Sequence, residues 1–385
     1  MKAKLDGKVL LAALDLVGAG FTPTTLTRVM VNTGDDGLGS WRIDMWDTEA
    51  TASILVPYGG EKDTDLSIIM PSVQLETLLS KTRAKEFEIR SKENIFVLKA
   101  NNSRLSIPKV DELTASNWDV DEKYPIQIEI AKGGLLASLA GPIEDILGTY
   151  ANVRGFQISA SNGEVTIIAT DSFRIYRAII KDTGLIKAND ISGVLPVKVL
   201  KFFKDLNGSE LPVGIGLKDT SYLIRAGVGD LTLEVNGAGI ITKYPGVALR
   251  FASKPDHRFV FSASRLKKEV ELHQSLSQDK VPTGIFEFTE TGVSIETKGN
   301  KQVSNSHVDL GEDYKVQERT EDIKIAIRLK YLLDAIRFIS ALDGDSIEVG
   351  IATKTTGLIW VQPAEETRLL HPEMEVACVI APVNV

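Results

Sequence analysis

Apolar residues fall along this chain in two spacings, one helical and one alternating, and the helical one repeats. Segments led by Pro or a basic residue and carrying apolar positions at helical spacing occur three times: IMPSVQLETLLSK (Ile69 to Lys81), VLPVKVLKFFKDL (Val194 to Leu206) and AIRLKYLLDAIRFI (Ala326 to Ile339). Their markers Pro71, Pro196 and Arg328 lie 125 and 132 residues apart. A second set, out of phase with the first, follows small or polar residues: GKVLLAALDLVG from Gly7, GGLLASLAGPIEDIL from Gly133 and SRLKKEVELHQSL from Ser264. Val9, Leu135 and Leu266 are 126 and 131 residues apart. Two markers with nearly one period predict three similar units, and such repetition points to a ring or an array.

Between the helical segments the pattern turns to alternation and β-branched enrichment. Trp41 to Pro57, Phe87 to Pro108, Gly155 to Ile180, Tyr222 to Asn236, Gly284 to Gly299 and Ser346 to Ala364 read as hairpins. Ser161-Asn162-Gly163 and Gly227-Val228-Gly229 mark turns. Each unit therefore reads as α+β, two helices packed on antiparallel sheets. Polar stretches around Asp119 to Pro125 and Ser253 to His257 interrupt the strands, placing domain bounds at 1–124, 125–255 and 256–385.

Composition narrows the class. With 385 residues, 43% hydrophobic, the chain can bury several cores. No apolar run approaches the roughly 18 residues a membrane span needs. The Met1 to Asp6 start, followed by a run carrying Lys8 and Asp15, makes a poor signal peptide, so a cytoplasmic, membrane-free protein is expected. The single cysteine, Cys378, lies in the apolar segment EVACVIAPV and reads as a buried thiol. Four histidines, among them His257, His273 and His371, lack zinc-ligand spacing, with His273 read as a partly buried or surface position on a helix. Walker, dinucleotide and nucleophile-elbow motifs are absent, and Asp35-Asp36, Glu365-Glu366 and the Asp343/Asp345 pair read as solvated turn residues. No catalytic residue, cofactor or metal is expected.

Charge distribution says more than net charge. The formal total of −8 opposes sequence-specific nucleic-acid binding. Six helical windows (5–18, 71–85, 131–147, 196–206, 264–275 and 328–340) together carry +5, leaving −13 elsewhere. Helices facing a common channel would give an acidic protein a basic lining for phosphate; solvated helix faces are the plainer alternative.

The segment IIATDSFRIYRA (Ile167 to Ala178) resembles the strand and turn of the bacterial DNA polymerase III β subunit, the sliding clamp, typically an apolar strand followed by Thr-Asp-Gly-His-Arg-Leu. NNSRLSIP (Asn101 to Pro108), KYPGVALRF (Lys243 to Phe251) and the terminal VIAPVNV are similar to other segments of that family, in the same order along essentially the whole chain. The resemblance implies three clamp domains per chain and two chains joined head to tail into a ring around duplex DNA, independent of sequence, as a non-catalytic processivity factor. It places Lys81, Arg83, Lys198, Lys201 and Arg265 toward DNA, with Lys204 and Arg337 as weaker candidates, and Leu105, Ile107 and Leu276 at the homodimer interface. Polymerase and clamp loader would insert short peptides into a hydrophobic pocket between domains 2 and 3. That pocket would involve Val153, Thr170, Ser172, Phe173, Arg174, Ile175, Pro245, Val247, Tyr331, Thr355, Gly357, Val379, Ala381 and Val383.

The departures gather in that pocket: Ser172 for Gly, Phe173 for His, Leu249 where Arg is common with Arg250 one place later, and Val383-Asn384-Val385 for Met-Arg-Leu. A pocket so altered would discriminate against a generic clamp-binding peptide. The aliphatic members also fit ordinary core packing. Two rival readings stand beside the clamp, a three-unit β-rich structural or adhesion protein without DNA binding, and a hydrolase whose acids assemble only in the fold.

Overall fold

A computed structural model describes residues 2–21, 26–33, 39–47, 49–57, 66–83, 85–108, 126–150, 155–181, 191–218, 221–240, 244–246, 250–251, 255–277, 279–289, 292–298, 303–309, 315–318, 323–340, 344–352, 357–370 and 372–383. In chain order its elements begin with β1 (Lys2–Asp6), α1 (Gly7–Gly18), β2 (Leu26–Thr33), β3 (Gly39–Trp46), β4 (Ala50–Pro57), β5 (Leu66–Pro71), α2 (Ser72–Thr82), β6 (Glu86–Ser91), β7 (Ile95–Ala100) and β8 (Ser103–Pro108). The middle of the chain forms β9 (Ile128–Ile130), α3 (Gly133–Tyr150), β10 (Gly155–Ser161), β11 (Glu164–Thr170), β12 (Arg174–Ile180), β13 (Ile191–Pro196), α4 (Val199–Lys204), β14 (Val213–Lys218), β15 (Ser221–Val228) and β16 (Leu231–Ala238). The last part forms β17 (His257–Ser262), α5 (Ala263–Leu276), β18 (Thr283–Phe288), β19 (Gly292–Lys298), β20 (Val303–Asp309), β21 (Lys315–Glu318), β22 (Ile323–Arg328), α6 (Leu329–Ser340), β23 (Ser346–Ile351), β24 (Ile359–Pro363), α7 (Glu365–Leu370) and β25 (Met374–Ile380).

These elements form two compact units. The first comprises 1–137, 185–193 and 198–240 and holds a four-stranded sheet, β1-β6-β7-β8, and an eight-stranded one, β5-β2-β3-β4-β16-β15-β14-β9. Antiparallel pairing of β4 with β16, Leu55 opposite Thr232 through Ala50 opposite Gly237, joins strands more than 170 residues apart into one ladder. A polar row crosses this sheet in register, Arg28 opposite Asp44, Asp44 opposite Ser53, Ser53 opposite Glu234 and Glu234 opposite Arg225. Helix α1 buries Leu10, Ala13, Leu14 and Val17, one face at 3.6-residue spacing, while Lys8 and Ala12 stay exposed. Asp6 starts that helix by accepting from the backbone N–H of Lys8 at 2.7 Å and of Val9 at 3.2 Å. Arg83 ends α2 in the left-handed region at φ 46.

The second unit, 138–184, 194–197 and 241–385, holds a nine-stranded sheet, β13-β10-β11-β12-β25-β24-β23-β17-β21, and a four-stranded sheet, β20-β19-β18-β22. Strand β25 pairs with β12 along its length, Arg174 opposite Ile380 through Ile180 opposite Met374, and with β24 on its other side. Helix α6 is buried on nearly every face, with Leu329, Leu332, Leu333, Ile336, Phe338 and Ile339 enclosed. Its one buried carboxylate, Asp334, demands a cationic partner.

The predicted recurrence is visible in the elements. The two helix families appear as α1, α3, α5 and α2, α4, α6, and each helix follows a strand within a few residues. The leading IMP, VLP and AIR of the three apolar segments are strand ends, not helix starts, and α4 is a six-residue remnant of the eleven-residue window. Asn162 (φ 52) and Gly163 (φ 84) make the expected two-residue turn between β10 and β11. The other turn lies later than read. Gly227 stays paired with Thr232, and the chain reverses at Gly229 (φ 59) and Asp230. Glu365 and Glu366 are not loop acids but the first turn of α7, where carboxylates favour the helix dipole. Of the histidines, His273 is fully buried beside Thr297 rather than at the surface, and His371 lies outside the described residues. Among the described residues no helix is long and apolar enough to cross a membrane.

Candidate peptide-binding site

The TDSFR segment is the hairpin turn between β11 and β12. Thr170 sits opposite Ile175, and its hydroxyl donates to the Arg174 carbonyl at 2.8 Å. Asp171 organises the loop: Oδ1 accepts from the backbone N–H of Phe173 and of Arg174, each at 3.0 Å, and Oδ2 accepts from Arg174 Nε at 2.9 Å. The turn requires Ser172 to adopt φ 78, a conformation that favours glycine. Phe173 is thereby pushed outward and left 43% exposed.

Arg174 runs the other way, into the unit. Its side chain is fully enclosed and holds Asp171 and Asp334, with Nη2 donating to the Asp145 carbonyl at 3.4 Å. The guanidinium stands 4.6 Å from the Tyr331 ring centroid and 5.9 Å from that of Tyr176. Lys330 and Arg337 join the network, with Lys330 Nζ 2.7 Å from Asp334 Oδ2 and Arg337 Nη1 3.9 Å from Oδ1. Burial lowers and the two aspartates raise the Arg174 pKa, and the net shift is upward. Below, burial drives the Tyr176 hydroxyl and the Cys378 thiol well above their ordinary values, leaving both neutral. Tyr176 stacks on Phe338 at 4.6 Å, so the site stands on a packed floor.

Beside Arg174 lies an aromatic pair, the exposed Phe173 and the buried Tyr331. Phe173 stacks on Tyr331 with centroids 6.2 Å apart, and the Arg328 guanidinium sits 5.0 Å from the Phe173 ring and 5.3 Å from the Tyr331 ring. Arg328 Nη1 donates to the Tyr331 hydroxyl at 2.8 Å. The tail holds this face together, since the Ala381 N–H donates to the Phe173 carbonyl at 2.8 Å and the Val383 N–H to the Ala326 carbonyl at 3.0 Å. Beside it, Ile168, Ile175 and Tyr244 form an apolar cluster flanked by Val194 and Phe251, and Arg177 stands 4.2 Å from the Phe251 ring.

The structure thus gathers many of the expected pocket residues in one unit. Ser172, Phe173 and Pro245 are exposed; Ala381 and Val383 are half-buried; Thr170, Ile175, Tyr331 and Val379 are buried. Gly357 takes φ 62, and a Cβ on it would touch Pro382 Cγ at 3.5 Å. Arg174, expected among the pocket residues, is fully enclosed behind the turn. Val153, Val247 and Thr355 lie outside the described residues. Sequence reading missed Arg328 and Asp334 as members of the site, although a lone aspartate in an apolar helix was a signal for a buried ion pair.

The basic residues expected to face DNA separate into two kinds. Lys81, Arg83, Lys201 and Arg265 are exposed on or beside α2, α4 and α5. Lys198 is not: its side chain is 10% exposed, Nζ pairs with Asp47, and the ammonium lies 4.4 Å from the Phe21 ring. Three-residue spacing turned it toward the unit interior, while Lys201 and Lys204 remain outside. Among the interface candidates Leu276 is 54% exposed and Leu105 half-buried, whereas Ile107 is already covered within its own chain. Asp345 accepts from Ser262 Oγ at 2.7 Å and from the Ser264 N–H at 2.7 Å, so it helps cap α5; Asp343 lies outside the described residues. Among the described residues no group of three or more His, Cys, Asp or Glu could hold a metal ion.

No family model matches the chain, and no curated protein matches it in sequence. Its fold is nevertheless that of solved DNA polymerase sliding clamps. The β subunit of DNA polymerase III from Pseudomonas aeruginosa superposes with a TM-score of 0.81 at 18% identity, covering 100% of both chains. The β subunit from Streptococcus pyogenes gives 0.82 at 16%, again over 100% of each chain. The Helicobacter pylori β clamp, solved in complex with carprofen, gives 0.81 at 13% over 100% of each.

Proposed function

We propose that this protein is a DNA sliding clamp, a non-catalytic processivity factor that encircles duplex DNA and tethers a polymerase and its loader through the TDSFR face. The observation that carries the reading is the end-to-end match to polymerase β subunits, with full coverage of both chains at a TM-score of 0.81. In this reading the chain comprises clamp domains 1–124, 125–255 and 256–385. Two chains close head to tail, with Leu105 on the edge strand β8 and Leu276 on α5 contributing apolar contacts.

Encirclement does not require a tight grip. Lys81, Arg83, Lys201 and Arg265 would meet phosphates through weak, water-bridged contacts that permit sliding, while closure prevents escape. The exposed Phe173, with Ile175 and Val379 behind it, would receive the apolar side chains of a partner peptide. The deciding experiment loads the protein on nicked circular DNA and linearises the circle. Retention on the circle and loss on linearisation are expected; equal loss from both forms would reject encirclement.

A further inference from the structure

Resting on the reading of the TDSFR face as a peptide site, we infer that Arg328 is its specificity residue and selects a partner peptide that presents a carboxylate next to an aromatic or aliphatic side chain. Four cations, Arg174, Arg328, Lys330 and Arg337, stand here against two buried carboxylates, Asp171 and Asp334. Arg174, Lys330 and Arg337 pair with those carboxylates, and Arg328 forms no ion pair among the described residues. One hydrogen bond, from Nη1 to the Tyr331 hydroxyl, uses one edge of its guanidinium, and Nε and Nη2 meet no acceptor among the described residues.

Its position makes this charge useful. Arg328 is the last residue of β22, and its half-buried side chain lies against Phe173 and Tyr331. Contact with two rings and a bond to the Tyr331 hydroxyl restrict the guanidinium, and its remaining donors are suited to a forked bond to a carboxylate. Phe173 is held by the Ala381 N–H and Ala326 by the Val383 N–H, so the ring and the cation are anchored by one tail segment. An apolar side chain on Phe173 and a carboxylate on Arg328 could therefore come from neighbouring residues of a single peptide.

Either an acidic side chain or a chain terminus supplies the carboxylate, and the test separates the two. Three short peptides of leucine and phenylalanine would be titrated at low salt: one with an internal glutamate and an amidated end, its glutamine counterpart, and that counterpart with a free C-terminal carboxylate. A carboxylate-bearing peptide should bind about tenfold more tightly than the neutral one. Whichever of the two does so identifies the source. Arg328→Gln should abolish the affinity ratio between the carboxylate-bearing and neutral peptides, whatever it does to the affinity they share, and Arg328→Lys should keep part of that ratio, since the charge remains but the fork is lost. Equal binding of all three peptides to the native protein, or a preference that survives Arg328→Gln, would overturn the role of Arg328 and leave the peptide site standing. Binding by none of the three would overturn both.

Discussion

Two residues of the TDSFR turn carry opposite energetic signs. Ser172 occupies φ 78, where an L side chain costs about 1–2 kcal/mol, partly offset by the extra freedom glycine has when unfolded. Ser172→Gly should therefore raise unfolding stability, by up to about 1 kcal/mol in a urea titration. Arg174 is the reverse case. Truncating it would leave Asp171 as a buried charge without its cation and Asp334 with only the partly exposed Lys330 and Arg337, and Arg174→Ala should cost about 3–5 kcal/mol, measured the same way. His273 sets a pH dependence. Burial holds its pKa below the ordinary 6.5, with the Glu269 charge opposing, so the unfolded chain takes up the proton first as pH falls. Its contribution is full above about pH 6.5 and is lost as pH falls through the lower folded value. Stability measured between pH 7.5 and 5 should fall, and His273→Gln should flatten that part of the slope. The TDSFR motif itself was legible because its residue types dictate the turn. The inward direction of Arg174 was not, because it depends on Asp334, a residue 160 positions away.

Paired helices record how far periodicity reaches. Spacing located six helices because each presents an apolar face to a sheet, and it missed α7, whose six residues are too few to show a period. It also missed the strands β5, β13 and β22 that lead into α2, α4 and α6, since short apolar runs leading into a helix share its composition. Lys198 shows the same limit at higher resolution: period alone cannot say which of three cations on one short helix turns inward to Asp47 and Phe21. Helix α5 offers an element-scale test. Ser262 accepts from the Arg265 N–H at 3.3 Å, and Asp345 accepts from the Ser264 N–H at 2.7 Å, so its first turn is capped twice, once from 81 residues away. Burial acts to raise the Asp345 pKa, and the bonds from Ser262 and Ser264 hold it below the ordinary carboxylate range. Asp345→Ala should lower stability by about 1 kcal/mol, with amide exchange accelerated first at Ser264.

For the whole molecule, shape and charge lead to different measurements. A closed pair of chains should sediment at about twice the 42.0 kDa chain mass, and Leu276→Asp should shift it toward the monomer by placing a charge at the proposed contact. Acidic overall yet basic on its helical windows, the protein should hold circular DNA through salt that would strip a phosphate-dependent binder, because closure and not charge retains it. The nine-stranded sheet has a bearing on biosynthesis. Strand β25 fills the place between β12 and β24, so the ladder from Arg174 to Ile180 has no partner on that side until residues 374–380 have been made. At ribosomal speeds of about 5–20 residues per second, β12 waits on the order of ten seconds or more with its edge open. A chain interrupted anywhere before Met374 would therefore lack the strand that seats Phe173. It could carry every residue of the TDSFR turn and still be unable to compete with finished molecules for their partners.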